Sequence, residues 1–347
     1  MTRRTCAALL EAHSDAHPLP CTVNPSAAKD WAQQIDAAAI RAFGTSLATD
    51  ANFTGFACDF GNNVDREAAW IVLTHAVDFG SGWRPALHQH HGRGAWLTIK
   101  AGVEALYQRA ARENATHLPA VWLQNLTRDQ VADDFGIAHN DALADLVDAL
   151  WLVLNDLGNG LTSSQEYESL QNFVQQTLPC TAADFVWQLV DLFPKTFDDR
   201  HTVTVDNRTA LEVCFFKKAQ LVTGELYHRF RTDNAARFDF TDGAQLNAYI
   251  DNVICASLRY KGIIVPSAAL TSDIESGVEL PSGSLAEVSL RAAALMGVDA
   301  VVAAVNNKHA DDTTLYSNEL GNYLWAGLGK EPAVRKFARH ATKTVFY

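Results

Sequence analysis

The chain has 347 residues, of which 48% are hydrophobic and 20% are charged, and it contains 8 Trp, 8 Tyr and 17 Phe. This composition supports a sizeable core in one or two domains and excludes disordered, collagen-like and low-complexity proteins. The 40 Asp and Glu outnumber the 28 Lys and Arg, and the net charge of −12 repels a polyanion over the whole surface. We therefore expect a folded protein that does not wrap DNA or RNA, although a few local cations could bind one phosphate.

The first residues do not have the pattern of a targeting segment. Glu11, His13 and Asp15 interrupt the early alanines and leucines, and no apolar run approaches the roughly 20 residues of a membrane span. The 6 cysteines are widely spaced, without a C-x-x-C pair, which is typical of reduced thiols. We expect a cytoplasmic protein with no membrane partner.

Apolar side chains at three- and four-residue intervals predict helices along most of the chain. The predicted helices span residues 100–113, 140–157, 164–177, 181–193, 208–230, 244–260, 285–305 and 313–326. Short strand patterns occur at 95–99, 201–205 and 343–347. Because no strand-helix-strand alternation appears, the sequence predicts an all-α protein with a few short strands. We expect an N-terminal helical segment, 1–50, followed by one continuous globular unit, 51–347.

The clearest helix start lies near residue 285. Ser284 and Glu287 have the spacing of a capping box, in which each side chain accepts a backbone N–H from the other end of the turn. An apolar run follows directly. This pattern predicts the start of the 285–305 helix.

The glycine-rich stretch 80–94 predicts a structured loop that contains His88, His90 and His91. Two of these imidazoles could share one side of a strand and bind a metal, but nothing in the sequence supplies a third ligand at a suitable spacing. The glycines of this stretch are also too few for a phosphate-binding loop. We interpret the histidines as part of a polar loop and expect no metal site.

Two lysines lie inside the apolar stretch 215–226. Adjacent positions on a helix differ by about 100°, so only one of Lys217 and Lys218 is expected to point inward with the apolar side chains. A solvated pair whose stems cover apolar surface is the alternative. The spacing alone leaves both interpretations open.

Asp251 is a carboxylate surrounded by apolar neighbours in the predicted 244–260 helix. A carboxylate is costly to bury unless it is paired, so Asp251 is either the water-facing residue of this helix or a functional group. Its spacing does not decide between the two.

Six segments resemble, in order, motifs of one known family. They are VDFGSGW at 77–83, FFKKAQLVTGEL at 215–226, YIDNVICA at 249–256 followed by GII at 262–264, LPSGSLAEVSLRA at 280–292, YLW at 323–325 and RHATKTVFY at 339–347. The family forms are L-N-F-G-S-G-Y, F-Y-K-R-A-Q-I-L-V-A-D-L, F-A-D-Y-R-V-P-Q with G-V-L, L-P-x-G-S-x-x-E-V-E-I-R-A, Y-L-W and R-H-R-T-R-T-x-F-Y. The chain thus resembles the queuosine salvage proteins, which are queuosine 5′-phosphate N-glycosylases, from about residue 55 to its last residue.

The resemblance implies an all-α fold similar to the helical DNA glycosylases. It also implies hydrolysis of the N-glycosidic bond of queuosine 5′-monophosphate, with release of queuine and ribose 5-phosphate and without a cofactor. Asp251 would be the catalytic carboxylate, either shielding the positive charge on the ribose or aligning the water. Lys218 would pair with the 5′-phosphate or with Asp251.

The same resemblance implies the substrate-binding residues. Phe79 and Trp83 would stack on the base, unless they are core aromatics, and Asp78 would accept hydrogen bonds from the base. His340 and Lys343 lie in a cationic C-terminus, with Arg339 and Tyr347, that is suited to a phosphate, unless it is a surface tail. The remaining predicted substrate-binding residues lie in the matched segments and are Tyr249, Arg291 and Tyr323.

Several positions depart from the family pattern. Asp78 replaces an Asn, the run 252–256 differs throughout, and Ala341 and Lys343 replace two arginines. A related 7-deazapurine nucleotide could therefore be the substrate. Two other functions stay open: a binding protein that has lost turnover, and a nucleic-acid base glycosylase, against which the net charge argues. We expect a monomer whose partner is a free mononucleotide and not a nucleic acid.

Overall fold

The computed structural model describes residues 1–12, 18–49, 58–205, 210–230, 235–308 and 314–347. The fold is mainly α-helical, with 66% helix, which confirms the predicted all-α class. The described strands form two short antiparallel pairs, Cys21–Val23 with Ile264–Pro266 and Arg200–Thr204 with Ala210–Cys214. The second pair confirms the predicted strand at 201–205. The likeness to helical DNA glycosylases stays a prediction.

The chain divides into two compact units. Unit 1 consists of Met1–Leu47, Asp199–Lys217 and Ala244–Lys343, and unit 2 consists of Ala48–Asp198, Lys218–Gly243 and Thr344–Tyr347. The division into residues 1–50 and 51–347 stays a prediction.

Unit 1 is built on the helix Leu285–Lys308, which contacts several of the other helices. The helices around it are Thr2–Glu11, Pro25–Ala32, Ala37–Thr49, Asn252–Tyr260, Ala268–Ser276, Ser317–Asn322 and Pro332–Lys336, with a π-helical turn at Tyr323–Gly327 and a 3-10 turn at Leu328–Lys330. By length and composition alone, Leu285–Lys308 could cross a membrane, but 67% of its most apolar window is buried inside the structure. It is therefore a core helix.

The predicted cap of this helix is present in a modified form. Ser284 Oγ accepts the backbone N–H of Glu287 at 3.3 Å, as the spacing predicts. The Glu287 carboxylate accepts the N–H of Gly283, at 3.1 Å, instead of that of Ser284. Gly283 has a φ of +76°, a left-handed conformation that favours glycine, and this turns its N–H toward the helix.

Unit 2 packs its helices around a second core that is rich in phenylalanine. Its helices are Val64–Ala76, Arg84–His91, Ala95–Arg112, Ala120–Gln124, Arg128–Asp134, Ala144–Ser164, Leu170–Thr177, Ala182–Leu192, Pro194–Phe197, Lys217–Phe230 and Ala235–Phe238. Short 3-10 turns lie at Ser81–Trp83 and Asp141–Leu143. The ring of Phe173 stacks on that of Phe185 at 5.9 Å and meets the edge of Phe193 at 5.6 Å.

Several sequence-based element predictions were wrong. Residues 95–99 begin the helix Ala95–Arg112, because Thr98, Ile99, Gly102 and Val103 are buried at helical and not at strand spacing. The stretch 80–94 contains the helix Arg84–His91 and is not a loop. In the part of the chain that the structure describes, residues 343–347 form no strand.

Several predicted helices have different boundaries, and the region 164–177 is helical only at Ser164 and in Leu170–Thr177. The region 208–230 contains the strand Ala210–Cys214 before its helix, and residues 208–209 lie outside the described part. The region 244–260 begins with the end of a 3-10 turn, Gly243–Gln245. Its α-helix is confined to Asn252–Tyr260. The last predicted helix, 313–326, is Ser317–Asn322 followed by the π-helical turn, and residue 313 is not described.

A close helix crossing in unit 2 requires glycine. A Cβ atom at Gly158 would lie 2.4 Å from the backbone nitrogen of Gln124 and 2.8 Å from the carbonyl oxygen of Ala120. These backbone atoms cannot move without separating Ala120–Gln124 from Ala144–Ser164. Glycine thus permits this crossing.

We expect Gly158→Ala to lower the free energy of unfolding by about 1–3 kcal/mol, because the extra methyl group overpacks the crossing. The matched control is Gly44→Ala, where no described atom lies within 4 Å of the new Cβ and alanine favours the helix. Thermal unfolding of both variants checks the prediction. Equal melting temperatures for the two variants would contradict it.

Candidate functional site

The predicted catalytic carboxylate, Asp251, is the N-cap of the helix Asn252–Tyr260. Its Oδ1 accepts the backbone N–H groups of Val253 and Ile254, both at 2.9 Å. Its Oδ2 accepts the indole N–H of Trp325 at 2.8 Å. Asp251 is only 8% exposed, so the water-facing interpretation is wrong. Hydrogen bonds from these donors help the structure to tolerate a buried carboxylate here.

The partner of Asp251 lies in the π-helical turn Tyr323–Gly327. Trp325 belongs to the Y-L-W segment, but the sequence alone assigns it no role. The Nζ atom of Lys330 lies 5.3 Å from the centroid of the Trp325 ring. Tyr323, a predicted substrate-binding residue, lies in the same turn and packs edge-on against Phe43 at 5.7 Å.

Tyr249 lies two residues before Asp251 in a segment that packs on the helix Ser317–Asn322. The N–H of Ala248 donates to Ser317 Oγ at 3.2 Å. A Cβ atom at Gly321 would lie 2.8 Å from the Cβ of Ala248, so the Ser317–Asn322 helix packs closely on this segment. Tyr249 itself is buried. The structure thus brings Tyr249, Asp251 and the turn containing Tyr323 into one region of unit 1.

Arg291 lies at the centre of a buried ion-pair network. Its Nη1 and Nη2 atoms donate to the two carboxylate oxygens of Asp199 at 3.0 and 2.6 Å, and Nη1 also donates to Glu287 at 3.3 Å. Its guanidinium carbon lies 3.9 Å from the centroid of the Phe215 ring. Although burial opposes ionisation, Arg291 and His201 hold the pKa of Asp199 well below its usual range. Arg291 is 0% exposed. Its proposed contact with the substrate stays a prediction.

The C-terminal residues are not a uniformly cationic group. His340 is 2% exposed, and burial together with the charges of Arg291 and Arg259 lowers its pKa to about 3. His340 is therefore neutral at pH 7, and its description as part of a cationic cluster was wrong. Lys343 is exposed, whereas Tyr347 is buried, so the chain does not end in a surface tail.

Lys218 is 2% exposed and lies in the first turn of Lys217–Phe230. Its Nζ donates to the carbonyl oxygen of Ala76 at 2.5 Å and lies 5.0 Å from the centroid of Phe79. Lys217 is also buried, so the prediction that only one lysine points inward was wrong. Both lysines lie within the first turn of this helix, so the first turn is covered on more than one side.

The predicted base-binding residues of unit 2 follow the helix Val64–Ala76. Phe79 and Trp83 are both buried, with ring centroids 6.4 Å apart, and the Trp83 indole N–H donates to Asp145 at 2.7 Å. These contacts are those of core aromatics, and stacking on a base stays a prediction. Asp78 directly precedes Phe79 in the sequence. Burial and the negative charge of Asp78 raise the pKa of Glu225 to about 7.

Sequence reasoning did not single out Glu225 or Trp325. Glu225 follows Lys218 by seven positions, which is two helical turns, so the two residues share one helix face. That spacing was available in the sequence. The raised pKa of Glu225 was not, because it depends on burial and on Asp78, which is distant in the chain.

Two histidines of the predicted polar loop, His90 and His91, border a cavity of about 550 Å³ in unit 2. Its polar lining residues are His90, His91, His139, Asn140 and Asp141. Within the residues that the structure describes, no group of three or more His, Cys, Asp or Glu side chains could hold a metal ion.

The buried neutral His340 predicts a pH dependence of folding. Below a pH of about 6.5 the unfolded chain binds a proton at His340, whereas the folded protein does not until the pH approaches about 3. Stability should therefore fall with decreasing pH in this interval, by about 1.4 kcal/mol per pH unit from this residue. We expect His340→Gln to have a shallower loss of stability between pH 6 and 4 in urea unfolding. His117→Gln, at an exposed histidine, is the control, and equal slopes for the two variants would refute the assignment.

A sequence model of the family described as queuosine salvage protein matches residues 59–347. A Sphaerobacter thermophilus protein named queuosine 5′-phosphate N-glycosylase/hydrolase is 26% identical over 281 residues, which are 81% of this chain and 81% of that relative. A Dictyostelium discoideum protein of the same name is 29% identical over 136 residues, or 39% of this chain and 40% of the relative. Because the family match covers most of the chain, this protein belongs to the queuosine salvage protein family.

Proposed function

We propose that this protein hydrolyses the N-glycosidic bond of queuosine 5′-phosphate and releases queuine and ribose 5-phosphate for queuosine salvage. The names of its two relatives support the substrate and the type of reaction. The observation that carries the proposal is the carboxylate of Asp251, which is buried and fixed by three hydrogen bonds in a segment that matches the family motif.

The chemistry requires a negative charge beside the ribose. When the bond between C1′ and the base nitrogen breaks, its electron pair leaves with the base and positive charge develops on C1′ and O4′. A fixed carboxylate in a water-poor site stabilises such a charge by several kcal/mol. The oxygen of a water molecule then bonds to C1′, one of its protons reaches the base nitrogen, and the other stays on the new hydroxyl group.

The donors to Asp251 suit this role. Two backbone amides and one indole are neutral, so these three hydrogen bonds orient the carboxylate without cancelling its charge. The helix Asn252–Tyr260 begins at this residue. Its amide groups fix Oδ1, and Trp325 fixes Oδ2. The carboxylate therefore does not need to reorganise as the ribose cation forms.

We expect Asp251→Asn to lower kcat by at least about 100-fold, because the amide keeps the shape but removes the charge. The matched control is Asp36→Asn, since Asp36 also accepts a backbone N–H, that of Ala39, at 3.0 Å near a helix start but is exposed. Release of queuine from queuosine 5′-phosphate, followed by mass spectrometry, measures both variants. Thermal unfolding shows whether a change in the stability of the fold explains any difference.

An Asp251→Asn variant with activity within a few-fold of the parent protein would remove Asp251 from the catalytic role. If both variants lose activity to the same extent, the loss is not specific to the charge at residue 251. If the parent protein binds queuosine 5′-phosphate but releases no base, it is a binding protein and the proposed hydrolysis is wrong.

We propose further that the substrate is a free mononucleotide and that the protein acts as a cytoplasmic monomer. The net charge of −12 supports a single phosphate over a polyanion. Lys343, which is exposed, is the proposed phosphate partner, and Lys218, whose Nζ donates to the carbonyl oxygen of Ala76, is the alternative. Gel filtration with light scattering tests the oligomeric state.

This assignment predicts that unphosphorylated queuosine is a much poorer substrate than its 5′-phosphate, because it lacks the charge that one of these lysines would bind. We expect kcat/KM to be at least about 10-fold lower for the nucleoside, which corresponds to the loss of one charge-assisted contact. Equal kcat/KM values for the two compounds would refute the phosphate assignment. Hydrolysis of a queuosine-containing tRNA at the same rate would refute the restriction to mononucleotides.

A further inference from the structure

The turn that contains Trp325 has an unusual backbone. Tyr323–Gly327 is a π-helical turn between the helix Ser317–Asn322 and the 3-10 turn Leu328–Lys330. Such turns are rare, because they insert an extra residue into the helical path, and they occur frequently at functional sites. An irregular turn of this kind needs specific contacts to persist.

Two contacts with the helix Asn252–Tyr260 stabilise this turn. Ser257 Oγ donates to the carbonyl oxygen of Leu324 at 3.1 Å, and both residues are buried. Gly329 lies against the same helix, since a Cβ atom at this position would be 2.5 Å from Val253 Cγ1. The helix that begins at Asp251 therefore also determines the position of the π-helical turn.

The turn and Asp251 are connected in two ways, through the helix Asn252–Tyr260 and through the side chain of Trp325. The helix fixes Oδ1 of Asp251 through two backbone amides and fixes the backbone on either side of Trp325 through Ser257 and Gly329. Trp325 in turn donates its indole N–H to Oδ2 at 2.8 Å. The rotation of the carboxylate about its Cβ–Cγ bond is thus restricted by donors on two different elements.

We propose that Trp325 is a positioning residue for the hydrolysis: its indole N–H holds Asp251 in the orientation in which the carboxylate faces the developing ribose cation. This inference rests on the proposed function. The choice of tryptophan follows from the chemistry, because a neutral donor fixes the carboxylate without itself pairing with its negative charge. A lysine or arginine at the same place would pair with that charge and weaken its effect on the cation.

The test is Trp325→Phe, which keeps an aromatic ring and removes only the N–H donor and the second ring of the indole. We expect kcat for queuosine 5′-phosphate to fall about 10- to 100-fold, the range for loss of a hydrogen bond to a charged group, with KM changed less than about twofold. The matched control is Trp151→Phe, where the indole N–H donates to the carbonyl oxygen of Leu126 at 2.7 Å in unit 2. This control should keep the kcat of the parent.

A double-mutant cycle separates positioning from a general structural role. An asparagine at 251 that accepts the amides of Val253 and Ile254 presents its NH2 group, and not an acceptor, to the indole, so the contact with Trp325 is already lost. We therefore expect Trp325→Phe to cost less than about twofold in the Asp251→Asn protein, measured in single turnover with excess enzyme.

Each outcome decides the proposal. A kcat of Trp325→Phe within about twofold of the parent overturns it, as does an equal loss of activity in the parent and in the Asp251→Asn background. A loss of activity that occurs only with a fall in melting temperature larger than that of Trp151→Phe also overturns it. If the parent protein itself releases no base, the proposed function fails. An active parent with an unaffected Trp325→Phe variant refutes only the positioning role.

Discussion

The architecture of unit 1 depends on a guanidinium group buried in its core. Arg291 lies on the central helix Leu285–Lys308 and is enclosed by the carboxylates of Asp199 and Glu287 and by the ring of Phe215. Removing these charges from water costs several kcal/mol per ion, so the network is stable only while every partner is in place. Asp199 immediately precedes the strand Arg200–Thr204, and Phe215 follows its partner strand Ala210–Cys214. The ion pair therefore fixes this hairpin to the helix.

The same central helix supports the candidate catalytic carboxylate. The helix Asn252–Tyr260 packs on Leu285–Lys308 and begins at Asp251, whose side chain caps it. Capping and catalysis make compatible demands on this residue, because both need side-chain oxygens held in a fixed orientation. Burial of the negative charge is offset by hydrogen bonds that are part of the fold. The proposed catalytic group is thus built into the start of a core helix.

Patterns that are local in the chain were predicted well. Helical periodicity indicated the all-α class, and the spacing of Ser284 and Glu287 located the start of the central helix. The start of the helix at Asn252 was missed, because the buried residues Ala248, Tyr249 and Ile250 of the preceding non-helical segment continue the apparent helical pattern. Motif resemblance identified Asp251, but its cap role depends on where that helix begins. The contact with Trp325 could not be predicted, since it joins residues 74 positions apart.

The most direct test of this account is the product balance of the reaction. The purified protein is incubated with queuosine 5′-phosphate in phosphate-free buffer, and the free base and the sugar phosphate are quantified by mass spectrometry. Hydrolysis predicts that queuine and ribose 5-phosphate appear in equal molar amounts and rise together as the substrate disappears. Substrate that stays intact although it is bound, or base that appears without ribose 5-phosphate, would contradict the account.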